Sequence, residues 1–431
     1  MMICNRIHFI GAGGVGVSGL AHIALDLGCE ISCSDAADSP TFQTLRDHVA
    51  ERLGDADARC HVGHAPLPKG TELLVYSSAV PENDPERAEA AAKGIRQMRR
   101  GDFLNLLALE FPLRIAVSGS HGKTTTSAMI AHILKVCGLN PGYMIGGSVN
   151  GWKRSAAFGG GKLLVTEVDE SDGSQAGFPA TVAVVLNIDD DHSWGLGGKR
   201  ALERCFVELA LRSRQVLAWR SESTERLFGE WRKVVFVDSM LNDIPLPGWH
   251  NKINAAMAVK ACGQVGVKAE DAVASLSDFP GVSRRMSERG KSADGSRVLV
   301  EDYAHHPTEL DATLAALRDA YSDRRLLVVF QPHRIERVER YGERFAELLS
   351  RTDWCCIVEP FAAWRTDGRT ADVKSLIADK VHPSCPVVAN SPEAIAAIAA
   401  PMWLEGTPAV LAVIGAGDVT RAVEELKKRI K

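Results

Sequence analysis

The sequence predicts an α/β protein whose 431 residues divide into three parallel-sheet domains. Three observations predict this. Short apolar runs suited to buried strands alternate along the whole chain with helix-like segments, the pattern of parallel sheets joined by crossover helices. Two glycine-rich turns, at 11–19 and 119–122, each stand between a strand-like run and a helix-like run. The polar clusters fall just past the carboxyl ends of predicted strands, where open parallel sheets bind ligands. A chain this long also exceeds one ordinary core.

The first block, about 1–100, opens with "RIHFIGAGGVGVSGLAHIALDLGCEISCSD", a strand–turn–helix–strand unit, and continues to the strand in "ELLVYSSAVPENDP". Gly11, Gly13 and Gly16 form a G-x-G-x-x-G spacing between strand and helix. Such glycines allow a tight turn and close backbone approach, and the helix N-terminus attracts phosphate. Asp35 ends the next strand, where a dinucleotide fold holds a ribose hydroxyl, so NAD is the obvious reading. A packing role also explains the glycines, and the type of nucleotide stays open.

The second block, about 101–282, opens with "IAVSGSHGKTTTSAMIAHIL". The strict phosphate-loop pattern G-x-x-x-x-G-K-[ST] needs glycine at 117, where this chain has Val117. The turn nevertheless offers consecutive N–H donors from Gly119 to Lys123 at a helix start. Lys123 can reach β- and γ-phosphate oxygens, and the Thr124 hydroxyl can ligate Mg²⁺. Two further apolar strands end in acid. "KLLVTEVDESDGS" carries Glu167, Asp169, Glu170 and Asp172, and "TVAVVLNIDDDHSW" carries Asp189, Asp190, Asp191 and His192. Strand alternation places Glu167, Asp169 and Ser171 on one side for as long as the strand lasts. Mg²⁺ favours such oxygens, yet these residues by themselves do not say which acid ligates.

In "LPGWHNKINAAMAVKA", His250, Asn251 and Asn254 open a helix, and Asn251 could simply cap it. The third block, about 283–431, follows the polar stretch "SRRMSERGKSADGS" and has strands at "RVLVEDYAHH", "RLLVVFQPHR", "WCCIVEPFA" and "AVLAVIGAGD". Asp302, His305 and His306 follow one of these strands. Adjacent histidines face different ways and no third ligand is spaced for zinc. Arg334 and Arg337 follow another, where guanidinium groups can clamp carboxylate or phosphate.

Composition bounds the remaining options. At 45% hydrophobic and 24% charged, with net charge −4, the chain matches a soluble globular protein and not a basic nucleic-acid or membrane-surface binder. No apolar run approaches the roughly 18 residues of a membrane span, and the N-terminus runs straight into a strand with no signal-peptide pattern. The ten cysteines include no C-x-x-C pair, which suggests reduced core thiols in a cytosolic protein.

Taken together these segments resemble the Mur ligases, ATP-dependent amide-forming enzymes of peptidoglycan synthesis. The resemblance spans nearly the whole chain. It rests on "GAGGVGVSG", "SGSHGKTTT", "EVDESDGS", "NIDDDH", "PGWHNKINA", "GVSRRM", "DYAHHPTEL", "FQPHR" and "GAGD", in the family's order. It implies an N-terminal Rossmann-like UDP-binding domain, a central P-loop ATPase-like domain and a C-terminal Rossmann-like domain. Gly13, Gly14, Gly16 and Ser18 would then cradle the diphosphate of a UDP-sugar, with Asp35 near the uridine. Ser120, His121, Gly122, Lys123, Thr124 and Thr125, with His250, Asn251 and Asn254, would bind ATP. Thr124, Glu167 and His192 would hold Mg²⁺, and Arg285 and Asp302 would reach ATP from the third domain. His305, Arg334 and Arg337 would border the amino-acid site.

The implied reaction adds L-alanine to UDP-N-acetylmuramate in the cytoplasm through an acyl phosphate. The protein would act on small molecules alone, as monomer or homodimer. A related ligase that rejoins murein tripeptide to the same sugar is the alternative within the class, and "FQPHR" favours the biosynthetic enzyme. An NAD-dependent oxidoreductase with an accessory P-loop domain would leave Lys123 and the acidic strand ends unexplained. The segment "SWGLGGK" after His192 departs from the family, which usually shows an acidic residue and a tyrosine there.

Overall fold

The computed structural model describes residues 5–191, 193–361, 370–383, 385–405 and 407–429. They form two compact units. One comprises the chain up to Pro245 with Lys252–Pro280, the other Leu246–Asn251 with the chain from Gly281 onward.

The first unit carries two sheets. Strands β1 (Arg6–Ile10), β2 (Glu30–Asp35), β3 (Cys60–Val62), β4 (Leu73–Tyr76) and β5 (Arg96–Arg99) lie in the order β3-β2-β1-β4-β5. All their pairings are parallel, with His8 opposite both Ser32 and Leu74. That order reverses direction at β1, so the glycine turn after it opens at the switch point of a doubly wound sheet. The helix Val15–Asp26 begins at Gly14 with no side chain capping it, which leaves its first N–H groups to the turn. By contrast Ser39 caps the helix Pro40–Leu53, accepting from the Phe42 amide. After β5 the helix Arg100–Leu107 sends Phe103 and Leu107 into the core, where Phe103 meets Phe9 edge-on at 5.8 Å.

The second sheet contains β6 (Leu113–Ser118), β7 (Gly142–Met144), β8 (Ala156–Ala157), β9 (Leu163–Glu167), β10 (Val182–Val185), β11 (Gln215–Trp219) and β12 (Val234–Val237). Their order is β12-β11-β10-β6-β9-β7-β8, antiparallel only between β7 and β8. β6 is central, flanked by β9 and β10, so both acidic strand ends arrive beside the turn that follows it. Val117 is a fully buried residue of β6, paired with Val184 and Glu167. The strict loop pattern fails at 117 because that residue still belongs to the strand.

The second unit holds β13 (Ser287–Lys291), β14 (Arg297–Asp302), β15 (Arg325–Phe330), β16 (Trp354–Val358), β17 (Val387–Val388) and β18 (Ala409–Ile414), ordered β13-β14-β18-β15-β16-β17. The polar stretch before β14 is itself an edge strand, β13, antiparallel to it with a bulge at Glu288/Gly290. An edge strand exposes one face and one ladder, so it carries no apolar run. Gln331, fully buried just after β15, donates to Asp418 at 3.1 Å and accepts from the Val419 amide at 3.0 Å. That fixes the "GAGD" turn after β18 against the "FQPHR" segment.

All nine described cysteines are free thiols. Among the described residues no helix is long and apolar enough to cross a membrane. The buried indole of Trp403 fills one layer of the third sheet's core. Trp403→Ala is expected to destabilise the second unit by about 3–5 kcal/mol, the usual loss for a large core aromatic, read by urea unfolding.

Candidate active site

The turn after β6 is set by two glycines. Gly119 has φ +138, and a Cβ there would lie 3.0 Å from Leu186 Cβ and 3.1 Å from the Asn187 amide. Gly122, φ +84, begins the helix Lys123–Val136, and a Cβ on it would meet Asn254 Oδ1 at 2.6 Å. Only glycine fits such backbone at no steric cost. Gly119→Ala is therefore expected to cost about 1–3 kcal/mol of stability through enforced strain, measurable by chemical unfolding.

The loop between these glycines is held from β10. The Asn187 side chain accepts from the His121 amide at 2.8 Å and donates to its carbonyl at 3.0 Å. Ser120 Oγ accepts from the Asp189 amide at 2.9 Å, and His121 Nε2 stands 3.1 Å from Asp189 Oδ2. Asn187 was not singled out in the sequence, although its place at a strand end beside the loop would have flagged it.

Lys123 Nζ folds back over the turn. It donates to Gly119 O at 2.5 Å and Glu170 Oε2 at 2.9 Å. Burial works against its charge, but Glu170, then Asp169 and Glu167, outweigh it and hold the ammonium above its usual range. Burial pushes the Glu170 carboxyl upward despite Lys123. Thr124 Oγ1 donates to Glu167 Oε2 at 3.1 Å, and Ser127 Oγ to Glu167 Oε1 at 3.3 Å. The Gly146 amide also donates to Glu167 Oε1.

The acids at the end of β9 part company there. Glu167, the last strand residue, meets Thr124, whereas Asp169 and Asp172 both accept from Arg100 Nη2 at 3.1 Å. Asp169 is half-buried; desolvation works against its charge, yet Arg100 and Lys123 hold its carboxyl well below the usual range. His192 lies outside the described residues.

At the first glycine turn, the Gly13 amide donates to Asp35 Oδ2 at 2.7 Å, and a Cβ on Gly13 would lie 2.7 Å from Asp35 Cγ. The strand-end acid thus closes onto the turn itself. Gly14 and Gly16 complete this turn and the helix start, and Ser18 is fully buried one turn on. Thr125 is buried in the first turn of its own helix.

The remaining candidates lie on the helix Trp249–Gly263 and in the second unit. His250 is pushed down to about 4 by burial and by Arg285, against Glu309. Asn251 Nδ2 donates to Pro247 O at 2.7 Å. Asp302 ends β14 and accepts from the Met286 and Ala304 amides at 2.7 and 2.8 Å. Burial raises its carboxyl against the pull of Arg285. Arg285 stands 3.9 Å from Glu309, and His305 Nδ1 lies 3.1 Å from the same carboxylate. Arg334, at φ +68, precedes the helix Ile335–Leu349. The buried Arg337 donates to His333 O at 3.0 Å. Each unit thus assembles its own cluster of sequence-predicted residues.

Family models describe the same chain. Residues 6–112 match the Mur ligase family catalytic domain, and 284–417 the Mur ligase glutamate ligase domain. The UDP-N-acetylmuramate–L-alanine ligase of Thiobacillus denitrificans is 35% identical, covering 99% of this chain and 98% of that relative. The chain belongs to the Mur ligase family.

Solved structures agree on the fold of this Mur ligase. UDP-N-acetylmuramate-alanine ligase from Thermotoga maritima superposes with TM-score 0.81 at 23% identity, over 98% of each chain. A MurF ligase from the same organism, solved in complex with ADP, gives TM-score 0.58 at 16% identity over 95% of this chain and 98% of that one. The three-sheet architecture read from the sequence is the one this family shares.

Proposed function

We propose that this Mur ligase joins L-alanine to the lactyl carboxylate of UDP-N-acetylmuramate, converting ATP to ADP and phosphate. The observation that carries the reading is the meeting of Lys123 and Thr124 with Glu170 and Glu167 at one phosphate loop. Similarity to a ligase of that name along nearly the whole chain supports it, and the ADP bound to the MurF relative supports ATP as the nucleotide. We assign 1–100 to the UDP-sugar, 101–282 to ATP and 283–431 to the amino acid, with the reaction in the cytoplasm.

Thr124 Oγ1 and Glu167 Oε2, 3.1 Å apart, are the hard oxygen donors that Mg²⁺ takes, so these residues fit the ion and would hold it. Bound there, Mg²⁺ neutralises charge on the transferring phosphate. Lys123 would exchange Glu170 for the β- and γ-phosphate oxygens, and the amides at the uncapped start of the helix Lys123–Val136 would orient them, those of Ser120 and His121 being held by Asn187. One lactyl carboxylate oxygen attacks the γ-phosphorus, ADP leaves, and an acyl phosphate forms. The L-alanine amine attacks the acyl carbon, and the tetrahedral intermediate expels phosphate as the amide forms. Two anions must meet in the first step, so positioning and charge neutralisation supply most of the catalysis. Arg285, Asp302, His305, Arg334 and Arg337 are assigned to ATP and the amino acid as the family pattern implies.

Phosphate release measured with UDP-N-acetylmuramate, ATP, Mg²⁺ and a panel of amines tests the reading. L-Alanine is expected to give the highest kcat/KM, ahead of glycine, L-serine and murein tripeptide. Release with tripeptide alone would replace the assigned amine, and no ATP turnover with any amine would overturn the proposal.

A further inference from the structure

Arg100 lies between the two glycine turns of the first unit. As the first residue of the helix Arg100–Leu107 it puts a positive charge at the positive end of a helix dipole, so helix stability does not account for it. Its Nη2 donates to Asp169 and Asp172, in the acidic segment beside Lys123. A guanidinium presents five N–H donors in a planar fork. Nη2 makes both of the hydrogen bonds described for this one. The rest of the fork lies on the first glycine turn, where a Cβ on Gly16 would stand 2.8 Å from Arg100 Cδ and 3.0 Å from Nη1. A side chain at the third glycine of the motif would thus push Arg100 from this position. Gly16 belongs to the first turn of the helix Val15–Asp26, whose N-terminal amides have no side-chain cap. Uncapped amides and unused guanidinium N–H groups therefore serve the same end of this helix.

We infer that Arg100 binds the diphosphate of the UDP-sugar through Nε and Nη1 while Nη2 stays on Asp169 and Asp172. Resting on the functional reading above, this names a group of the sugar-nucleotide site that the glycine motif does not contain. It also gives Arg100 a positioning role. The sugar nucleotide and the phosphate loop are held in register through one side chain, because Asp169 in turn bears electrostatically on Lys123. The fork geometry suits two phosphate oxygens better than a lysine would.

Calorimetric titration of the full chain with uridine, UDP and UDP-N-acetylmuramate tests this, using wild type, Arg100→Ala and Arg100→Gln. Both variants are expected to bind UDP and UDP-N-acetylmuramate at least about tenfold more weakly, the scale of one charge-assisted hydrogen bond. Uridine, which has no phosphate, is expected to bind as it does to wild type. KM for UDP-N-acetylmuramate rises, and that for ATP changes less. Unchanged UDP affinity in the glutamine variant would overturn the inference. So would equal weakening of uridine and UDP, which would mark Arg100 as a fold staple only. Failure of the wild-type chain to bind any UDP-sugar would instead overturn the functional reading, and that result needs no variant.

Discussion

Lys123→Ala is expected to abolish turnover while leaving UDP-N-acetylmuramate affinity close to wild type. The ammonium is the one cation hydrogen-bonded to both the loop carbonyl of Gly119 and the Glu170 carboxylate among the described residues. The glycine turn that would bind the sugar nucleotide belongs to a different sheet. The substitution also takes the ammonium away from Glu170, which is fully buried, so some loss of stability accompanies it. A double variant, Lys123→Met with Glu170→Gln, removes both charges and separates the two effects. Its thermal stability is expected to recover relative to Lys123→Ala, whereas its turnover is not. Steady-state rates within about tenfold of wild type for Lys123→Ala, some 1.4 kcal/mol in barrier, would contradict the role given to this residue.

Glu167→Gln is the second large effect. The carboxylate accepts from Thr124 Oγ1, Ser127 Oγ and the Gly146 amide, so its position is fixed from three sides. The amide keeps the shape and removes the charge that a Mg²⁺ site requires. kcat is expected to fall at least on the order of 100-fold, the upper end of what loss of even an outer partner of a metal costs. The Mg²⁺ concentration for half-maximal rate is expected to rise as well. A magnesium titration of phosphate release reads both quantities. A variant with normal magnesium dependence would remove Glu167 from the metal site.

The central strands were legible because burial on both faces forces continuous apolar runs. "RIHFI", "LRIAVS", "LLVTE" and "AVLAVI" all became interior strands. Edge strands were not, since nothing compels an apolar run in "RQMR" or "SERGK". The phosphate loop could be read locally because glycine, lysine and threonine act within a few residues of one another. Partners across the fold could not. Strand alternation put Glu167 and Asp169 on one side, but β9 ends at Glu167 and the chain then turns Asp169 toward Arg100. Arg100 itself stands 69 residues from that partner, in a segment whose charges look like an ordinary solvated face. Asp35 was read as a ribose ligand from its spacing, and its contact with the Gly13 amide depends on how β2 ends beside the turn.

The central claim is that the γ-phosphoryl group passes to a carboxylate on its way to phosphate. UDP-N-acetylmuramate labelled with ¹⁸O in its lactyl carboxylate, turned over with ATP and L-alanine, tests it directly. Mass analysis of the released phosphate is predicted to find one ¹⁸O atom from that carboxylate in each phosphate formed. Unlabelled phosphate accompanying amide formation would contradict the account.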